Sequence, residues 1–575
     1  MLNSNLTKAD LVADLEKIEK GKLLDAIDVI NTEISYASGD EGFDTKPIRQ
    51  NKEILAKLHH ILNIEKYKDS EFRKKLLLRV QPVSNQIEFL KTVLPDLIPE
   101  HITKLDDIEI HKFCDKASKL PWSNNFSTRE FISKFDYDES LIPLTKEERE
   151  DVENVTVAKI NPKTKEITLT LKTTTPFRQL YDYQSKIFHE ADKKIEYRMM
   201  KFIIQMPTGA GKTRVAMEIV SHFLNRGVEK DQPRQIIWLA DREELLEQAI
   251  ESFQNVFPHL GLNDTKVYRL FSGHKSLVFE KNSIIMANYP TLINFIKENP
   301  DLLKPDLIIC DEAHNAIAET YKPLIKKFHN QGAKVIGLTA TPVRGTETKE
   351  NKELRDFFND TLIKIELDED GSNSPISFLQ EKGYLSHINQ KEFTSANIIG
   401  TIPPKLWKLA SKSRELPDNF LQLIAENNDR NRMITTQLLE IVKTKNKKRI
   451  LYFGTNIYQS KLICALMILN GVNAVHIDGK TPREYRREAI KKFKTGDIDM
   501  ICNAAVFTTG FDEPKIEVVI IGKPTKSIVL NQQMIGRGMR GPKMGGTLEF
   551  DLYTIADNLP GIDLAHNMMQ DSWIE

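Results

Sequence analysis

The stretch Phe202-Ile-Ile-Gln-Met-Pro-Thr-Gly-Ala-Gly-Lys-Thr213 decides the fold. Its apolar opening, Phe202 to Met206, reads as a buried strand, and a turn with Gly209 and Gly211 follows. Beyond Thr213, the residues Val215, Ile219, Val220 and Phe223 share one helical face up to Gly227. Strand, glycine loop and helix in this order form a cradle for a nucleoside triphosphate. The glycines let backbone N–H groups of the Thr208–Lys212 turn, Ala210 included, converge on phosphate oxygens, and the helix N-terminus adds partial positive charge. Lys212 reaches the β and γ phosphates, and Thr213 offers a hydroxyl to Mg²⁺. Met206 stands where the usual pattern begins with glycine.

Outward from this stretch the same texture repeats. Short apolar runs at Ile236 to Leu239, Ile284 to Ala287, Leu307 to Cys310 and Val335 to Leu338 each precede a turn and a helical stretch. Such runs are parallel strands buried on both faces and joined by crossover helices. A second series lies at Ile450 to Phe453, Ala474 to Ile477, Met500 to Cys502, Val518 to Ile521 and Leu548 to Leu552. The fold class is therefore α/β, with two parallel sheets in tandem. Four segments are expected: 1–172, 173–345, 346–429 and 430–575.

The first segment is largely helical. Apolar residues recur at helical spacing from Leu11 to Ile30, and Thr7 with Asp10 is placed like a helix start. It ends in a hairpin, Val155 to Ile160 and Glu166 to Leu171 around Asn161-Pro162-Lys163. Residues 346–429 break the α/β pattern with the acidic run Glu366 to Pro375 and the pair Pro403-Pro404, and are expected to form a linker or insertion.

Length and composition set the frame. At about 100 to 200 residues per domain, 575 residues allow three to five units. Lys plus Arg and Asp plus Glu both number 81, so overall charge gives no argument for nucleic acid. Residues 1–150 are acidic, with 23 basic against 28 acidic side chains, so an anionic partner is expected at the later part. Four well-separated cysteines form neither a zinc knuckle nor a disulfide framework, no run suits a membrane span, and the start lacks a signal-peptide pattern. A cytoplasmic protein is expected.

A second chemical feature lies in Asp306-Leu-Ile-Ile-Cys-Asp-Glu-Ala-His314, where a strand delivers two adjacent carboxylates at the sheet edge that binds ligands. Asp311 suits Mg²⁺, bound through water, and Glu312 suits orientation and deprotonation of an attacking water. His314 has no histidine or cysteine partners spaced for zinc.

With these residues in place, the chain from about Pro176 to Trp573 resembles the superfamily 2 helicases and translocases with a D-E-A-H box. Phe177-Arg-Gln-Leu-Tyr-Asp-Tyr-Gln184 looks like the adenine-reading motif, with Gln184 and Arg178 as base and stacking contacts. Asp311-Glu-Ala-His314 is similar to motif II and Thr339-Ala-Thr-Pro342 to motif III; the resemblance makes His314, Thr339 and Thr341 couplers of hydrolysis to movement. Phe507-Thr-Thr-Gly-Phe-Asp512 resembles motif V, adding Gly510 and Asp512 to the coupling set. Gln533-Met-Ile-Gly-Arg-Gly-Met-Arg540 resembles motif VI, which implies that Gln533 joins the catalytic set and that Arg537 and Arg540 are arginine fingers supplied across the cleft. The resemblance implies two RecA-like lobes that hydrolyse ATP with Mg²⁺ and move on nucleic acid.

Arg242, Thr291, Thr455, Thr508 and Thr509 are candidate nucleic-acid contacts, each equally readable as a helix cap or turn. The basic run Lys443 to Arg449 reads either as a contact or as a solvated loop. Leu379 to Leu385, Gly522 to Ser527 and Leu552 to Leu559, with Trp573, are similar in style to the DNA-tracking motors of type I and type III restriction enzymes and repair translocases. That favours DNA over RNA and a bacterial DNA-processing or anti-phage system. No nuclease pattern is seen, so cutting is expected from another chain, a nuclease or other effector, docked through residues 1–172. The alternative for 1–172 is a helical support packed on the first lobe.

Overall fold

The computed structural model describes residues 6–38, 48–62, 69–80, 83–95, 97–98, 101–120, 158–160, 166–169, 177–197, 200–271, 278–340, 348–366, 374–394, 402–413, 415–504, 506–507, 513–557 and 559. The first lobe is built on β1 (Ala158–Ile160), β2 (Ile167–Leu169), β3 (Lys201–Gln205), β4 (Gln235–Ala240), β5 (Thr265–Leu270), β6 (Ser283–Asn288), β7 (Leu307–Asp311), β8 (Lys334–Thr339) and β9 (Leu362–Lys364). Their order in the sheet is β1-β2-β5-β6-β4-β7-β8-β3-β9. From β5 to β9 every pairing is parallel, and β4 and β7 are buried along their whole length. Only a sheet covered by helices on both faces tolerates such continuous apolar strands.

The second lobe holds β10 (His387–Thr394), β11 (Ile450–Phe453), β12 (Ala474–Ile477), β13 (Met500–Asn503), β14 (Val518–Ile521) and β15 (Glu549–Ala556). These form an all-parallel sheet in the order β10-β15-β14-β11-β13-β12. The fold is thus α/β with two RecA-like parallel sheets, as expected.

Three features go beyond that expectation. The expected hairpin forms as β1 and β2, but β2 also pairs antiparallel with β5, so the hairpin extends the first lobe's sheet. Residues 346–429 are shared between the lobes, since β9 closes one edge of the first sheet and β10 pairs with β15 over eight residues in the second. Among the described residues, the core of the amino-terminal helices is shared with the second lobe rather than the first. Leu23, Leu24, Ile27, Leu55 and Leu58 share a core with Tyr458, Leu462, Ala465 and Leu466 of the second-lobe helix Ile457–Leu469. Ion pairs Lys22–Glu426 at 2.9 Å and Arg432–Glu33 at 3.1 Å flank that core. The first of these helices, Lys8–Leu15, opens with a reciprocal cap in which Asp10 N donates to Thr7 Oγ1 and Thr7 N to the Asp10 carboxylate. Among the described residues no helix is long and apolar enough to cross a membrane.

Candidate nucleotide site between the lobes

The glycine loop leaves β3 at the carboxyl edge of the first sheet and runs into the helix Lys212–Glu229. Gly209 and Gly211 both have φ of +86°, a left-handed conformation that L side chains resist. A Cβ at Gly211 would lie 2.4 Å from Gln184 Nε2, so the loop has no space for a side chain there. Two side chains grip the loop from behind. Tyr183 Oη and Gln184 Nε2 both donate to Ala210 O, at 2.8 and 2.9 Å, and Gln184 Oε1 accepts from Tyr181 N at 3.0 Å. Gln184 is buried and spends its amide on the loop and its neighbours.

Asp311 ends β7 and Glu312 begins the turn Ala313–Ile317. Burial pushes the Asp311 carboxyl up to about 7; the neighbouring Glu312 adds to the shift and Lys212 opposes it. Glu312 has φ of 53°, a strained backbone for a residue with a side chain. That turn fits because β8 presents Gly337, where a Cβ would be 2.7 Å from Ala313 Cβ. His314 Nδ1 stands 3.7 Å from Glu312 Oε2, and Thr339, buried at the end of β8, accepts from Met206 N at 3.1 Å through its carbonyl.

The second lobe meets this edge directly. Gln533 Nε2, on the helix Ile528–Ile535, approaches Glu312 Oε1 at 3.4 Å. A Cβ on Gly536 would fall 2.2 Å from Thr208 Cγ2, so the end of that helix rests on the glycine loop. Arg537 and Arg540 follow in the same turn, both half-buried. Arg540 is held by a backbone bridge to Leu385, whose side chain lies beside Gly209. On the outer side of the seam, Arg178 and Tyr181 both donate to Lys543 O, and the Tyr384 ring packs 4.7 and 4.9 Å from those of Tyr181 and Tyr183.

The structure therefore brings Arg178, Gln184, Thr208, Gly209, Ala210, Gly211, Lys212, Thr213, Asp311, Glu312, His314, Gln533, Arg537 and Arg540 to one seam. Thr341, Thr508, Thr509, Gly510 and Asp512 lie outside the described residues. Arg242 is exposed at the start of the helix Glu243–Leu260, beside Asp241. Thr291 N donates to Asn288 Oδ1 at 2.9 Å in a helix cap. Thr455 is corrected: it is 2% exposed, and its hydroxyl donates to Gly522 O at 2.9 Å and faces Arg430 Nη1 at 3.3 Å. No surface remains for it to offer a strand.

Sequence reading missed Tyr183, Tyr384 and Lys543, for which only the aromatic spacing Tyr181-x-Tyr183 gave a signal. It also missed Asp241, whose carboxyl is raised by desolvation and by Glu312.

The residues fit a magnesium-bound triphosphate. The buried Asp311 carboxyl and the Thr213 hydroxyl in the first helical turn are the sparse oxygen donor set that Mg²⁺ uses alongside phosphate oxygens, and Lys212 adds positive charge beside them. Two parallel-sheet lobes closed over such a loop define a P-loop ATPase of the two-lobed motor class.

Comparisons with known proteins agree. Residues 178–344 match the family described as Type III restriction enzyme, res subunit, and residues 433–541 match Helicase conserved C-terminal domain. IRC3 of Saccharomyces cerevisiae, whose name assigns it as an ATP-dependent helicase, is 26% identical over 375 residues, which are 63% of this chain and 49% of that protein. The DNA 3'-5' translocase XPB2 of Sulfurisphaera tokodaii is 24% identical over 385 residues, 63% of this chain and 79% of that one. The ATP-dependent RNA helicase DBP3 of Saccharomyces cerevisiae is 21% identical over 320 residues, 54% and 53%. The chain spans about half the length of the first of these relatives. Its two lobes are thus similar, one each, to the two domains of helicase motors.

Proposed function

We propose that the chain is an ATP-dependent DNA translocase or helicase that couples ATP hydrolysis to movement along DNA. The observation that carries this reading is the 3.4 Å approach of Gln533, from the second lobe, to Glu312 of the first. A site completed by two bodies turns over only when they meet, so each hydrolysis event is tied to a closure.

In this reading Lys212 and the loop amides bind the triphosphate, and Thr213 and Asp311 would hold Mg²⁺, which when bound offsets the charge on the β and γ phosphates. Glu312 orients the attacking water and accepts its proton. Gln533 positions Glu312, while Arg537 and Arg540 supply positive charge where the γ-phosphoryl transfers. Arg178 and Gln184 set the base end of the site, the latter through its grip on Ala210. His314, Thr339, Thr341, Gly510 and Asp512 pass the closure to the strand-facing surface, to which Arg242, Thr291, Thr508 and Thr509 belong.

DNA is favoured by the motif style of Gly522 to Ser527 and by similarity to a relative named as a DNA translocase. The relative named as an RNA helicase supports the second reading, an RNA helicase. Work in a bacterial DNA-processing or anti-phage system, with a nuclease or other effector docked on the amino-terminal helices, completes the proposal. ATPase rates with single-stranded DNA, duplex DNA and RNA decide between the readings: stimulation by RNA alone removes the DNA assignment. Triplex displacement tests movement, and ATP turnover without displacement reduces the chain to a nucleotide-gated switch.

A further inference from the structure

The loop Gly522–Ser527 connects β14 to the helix that carries Gln533, and it is tied down along its length. Gly522 N donates to Phe453 O at 2.8 Å, and Gly522 O accepts from Arg430 Nη2 at 2.8 Å. Lys526 Nζ reaches across to another element altogether. It lies 2.6, 3.4 and 3.2 Å from the carbonyl oxygens of Ala410, Ser411 and Ser413. Those carbonyls end the helix Pro404–Lys412, where orphan acceptors and the helix dipole favour a cation. The next residue, Ser527, caps the Gln533 helix by accepting from Leu530 N at 3.2 Å. A continuous set of contacts therefore runs from helix Pro404–Lys412 through Lys526 and Ser527 to Gln533 and Glu312.

That helix has two distinct faces. Leu406, Trp407 and Ala410 pack into a small core with Leu416, Phe420 and Ile424, the Trp407 ring lying 5.7 Å from that of Phe420. Lys405 and Lys408 lie exposed on the opposite face, and neither enters an ion pair with a carboxylate among the described residues. The helix itself, Pro-Lys-Leu-Trp-Lys-Leu-Ala-Ser-Lys, contains no acidic residue. Lys523, on the tied loop, is half enclosed beside Glu415 and Asp418, with Arg242 of the first lobe also within electrostatic reach.

Resting on the reading of the chain as a nucleic-acid motor, we propose that helix Pro404–Lys412 grips backbone phosphates through Lys405 and Lys408, and that Lys526 is the positioning residue that transmits this grip to Gln533. Charge complementarity selects the occupant, since a face carrying lysines without acidic residues suits a phosphate backbone and reads no sequence.

The test uses the full chain, a fluorescent DNA duplex and ATP turnover, with K405Q/K408Q, K526M and K526R as variants. K405Q/K408Q should weaken duplex binding roughly tenfold and lower the slope of log affinity against log salt by about 2, because each lost phosphate contact removes about 0.9. Its unstimulated turnover and KM for ATP should stay at the wild-type values. K526M should bind duplex within about twofold of wild type yet lose most of the DNA-stimulated kcat, with K526R restoring it. An unchanged salt slope in K405Q/K408Q, or full stimulated turnover in K526M, overturns the proposal, and the lysine face then belongs to solvent or to a protein partner. Wild-type protein that neither binds nor responds to DNA or RNA sinks the motor reading itself, which distinguishes the two failures.

Discussion

Asp311 shows how the site is prepared at the cost of the empty fold. Its carboxyl stays protonated in the folded chain up to about pH 7, whereas in the unfolded chain it ionises in the ordinary aspartate range. The folded state therefore holds the extra proton between those limits, and stability from this group falls as pH rises through the window. We expect Asp311→Asn to raise the thermal midpoint of the nucleotide-free protein by a few degrees at pH 8, to raise it by clearly less at pH 5, and to abolish turnover. Thermal melts at both pH values check it, and an equal shift at both would contradict the assignment. On the proposed function, Glu312→Gln keeps the contact with Gln533 but removes the proton acceptor, so ATP should stay bound and unhydrolysed in a closed state that holds nucleic acid. Nucleotide retention on a filter together with turnover measures this, and wild-type turnover would refute the role. Gly536→Ala introduces a methyl where Thr208 already stands. It should lower kcat severalfold while leaving nucleotide binding by the first lobe near normal, read from the split between kcat and nucleotide Kd.

At the scale of elements, the parallel strands were legible because burial on both faces leaves an unmistakable apolar run: Ile450–Phe453, Ala474–Ile477 and Val518–Ile521 appear with the expected bounds. The strand Thr265–Leu270 escaped notice because Lys266 and Arg269 interrupt it where the sheet meets the hairpin. His387–Thr394 escaped because an edge strand exposes one side, and its sequence is mostly polar. The glycine loop and the paired carboxylates could be read because their chemistry is local in the chain. The contacts that brace them could not, since Lys543 meets Tyr181 across 362 residues and Arg430 meets Asp557 across 127. The latter pair is fully enclosed: Arg430 donates to both carboxylate oxygens of Asp557, at 2.7 and 2.8 Å, and ties in Gly522 and Thr455. Replacing Arg430 by Met strands a buried carboxylate and should cost about 3–5 kcal/mol of second-lobe stability, measurable by denaturant unfolding. A loss below about 1 kcal/mol would show that the carboxylate finds water instead.

For the molecule as a whole, the amino-terminal helices and the second lobe share one apolar core, so they unfold together. A buried charge at Leu462, by Leu462→Glu, should disorder both and bring their protease sensitivity up in step, while the first lobe's resistance is retained. Independent digestion of the two would separate them. The route of the chain adds a mechanical consequence. From the amino-terminal helices on the second lobe's flank it passes into the first lobe by the hairpin at Ala158–Leu169, and returns to the second by the strand at His387. The chain therefore crosses between the two bodies twice, so a single backbone cut in either crossing leaves them covalently joined.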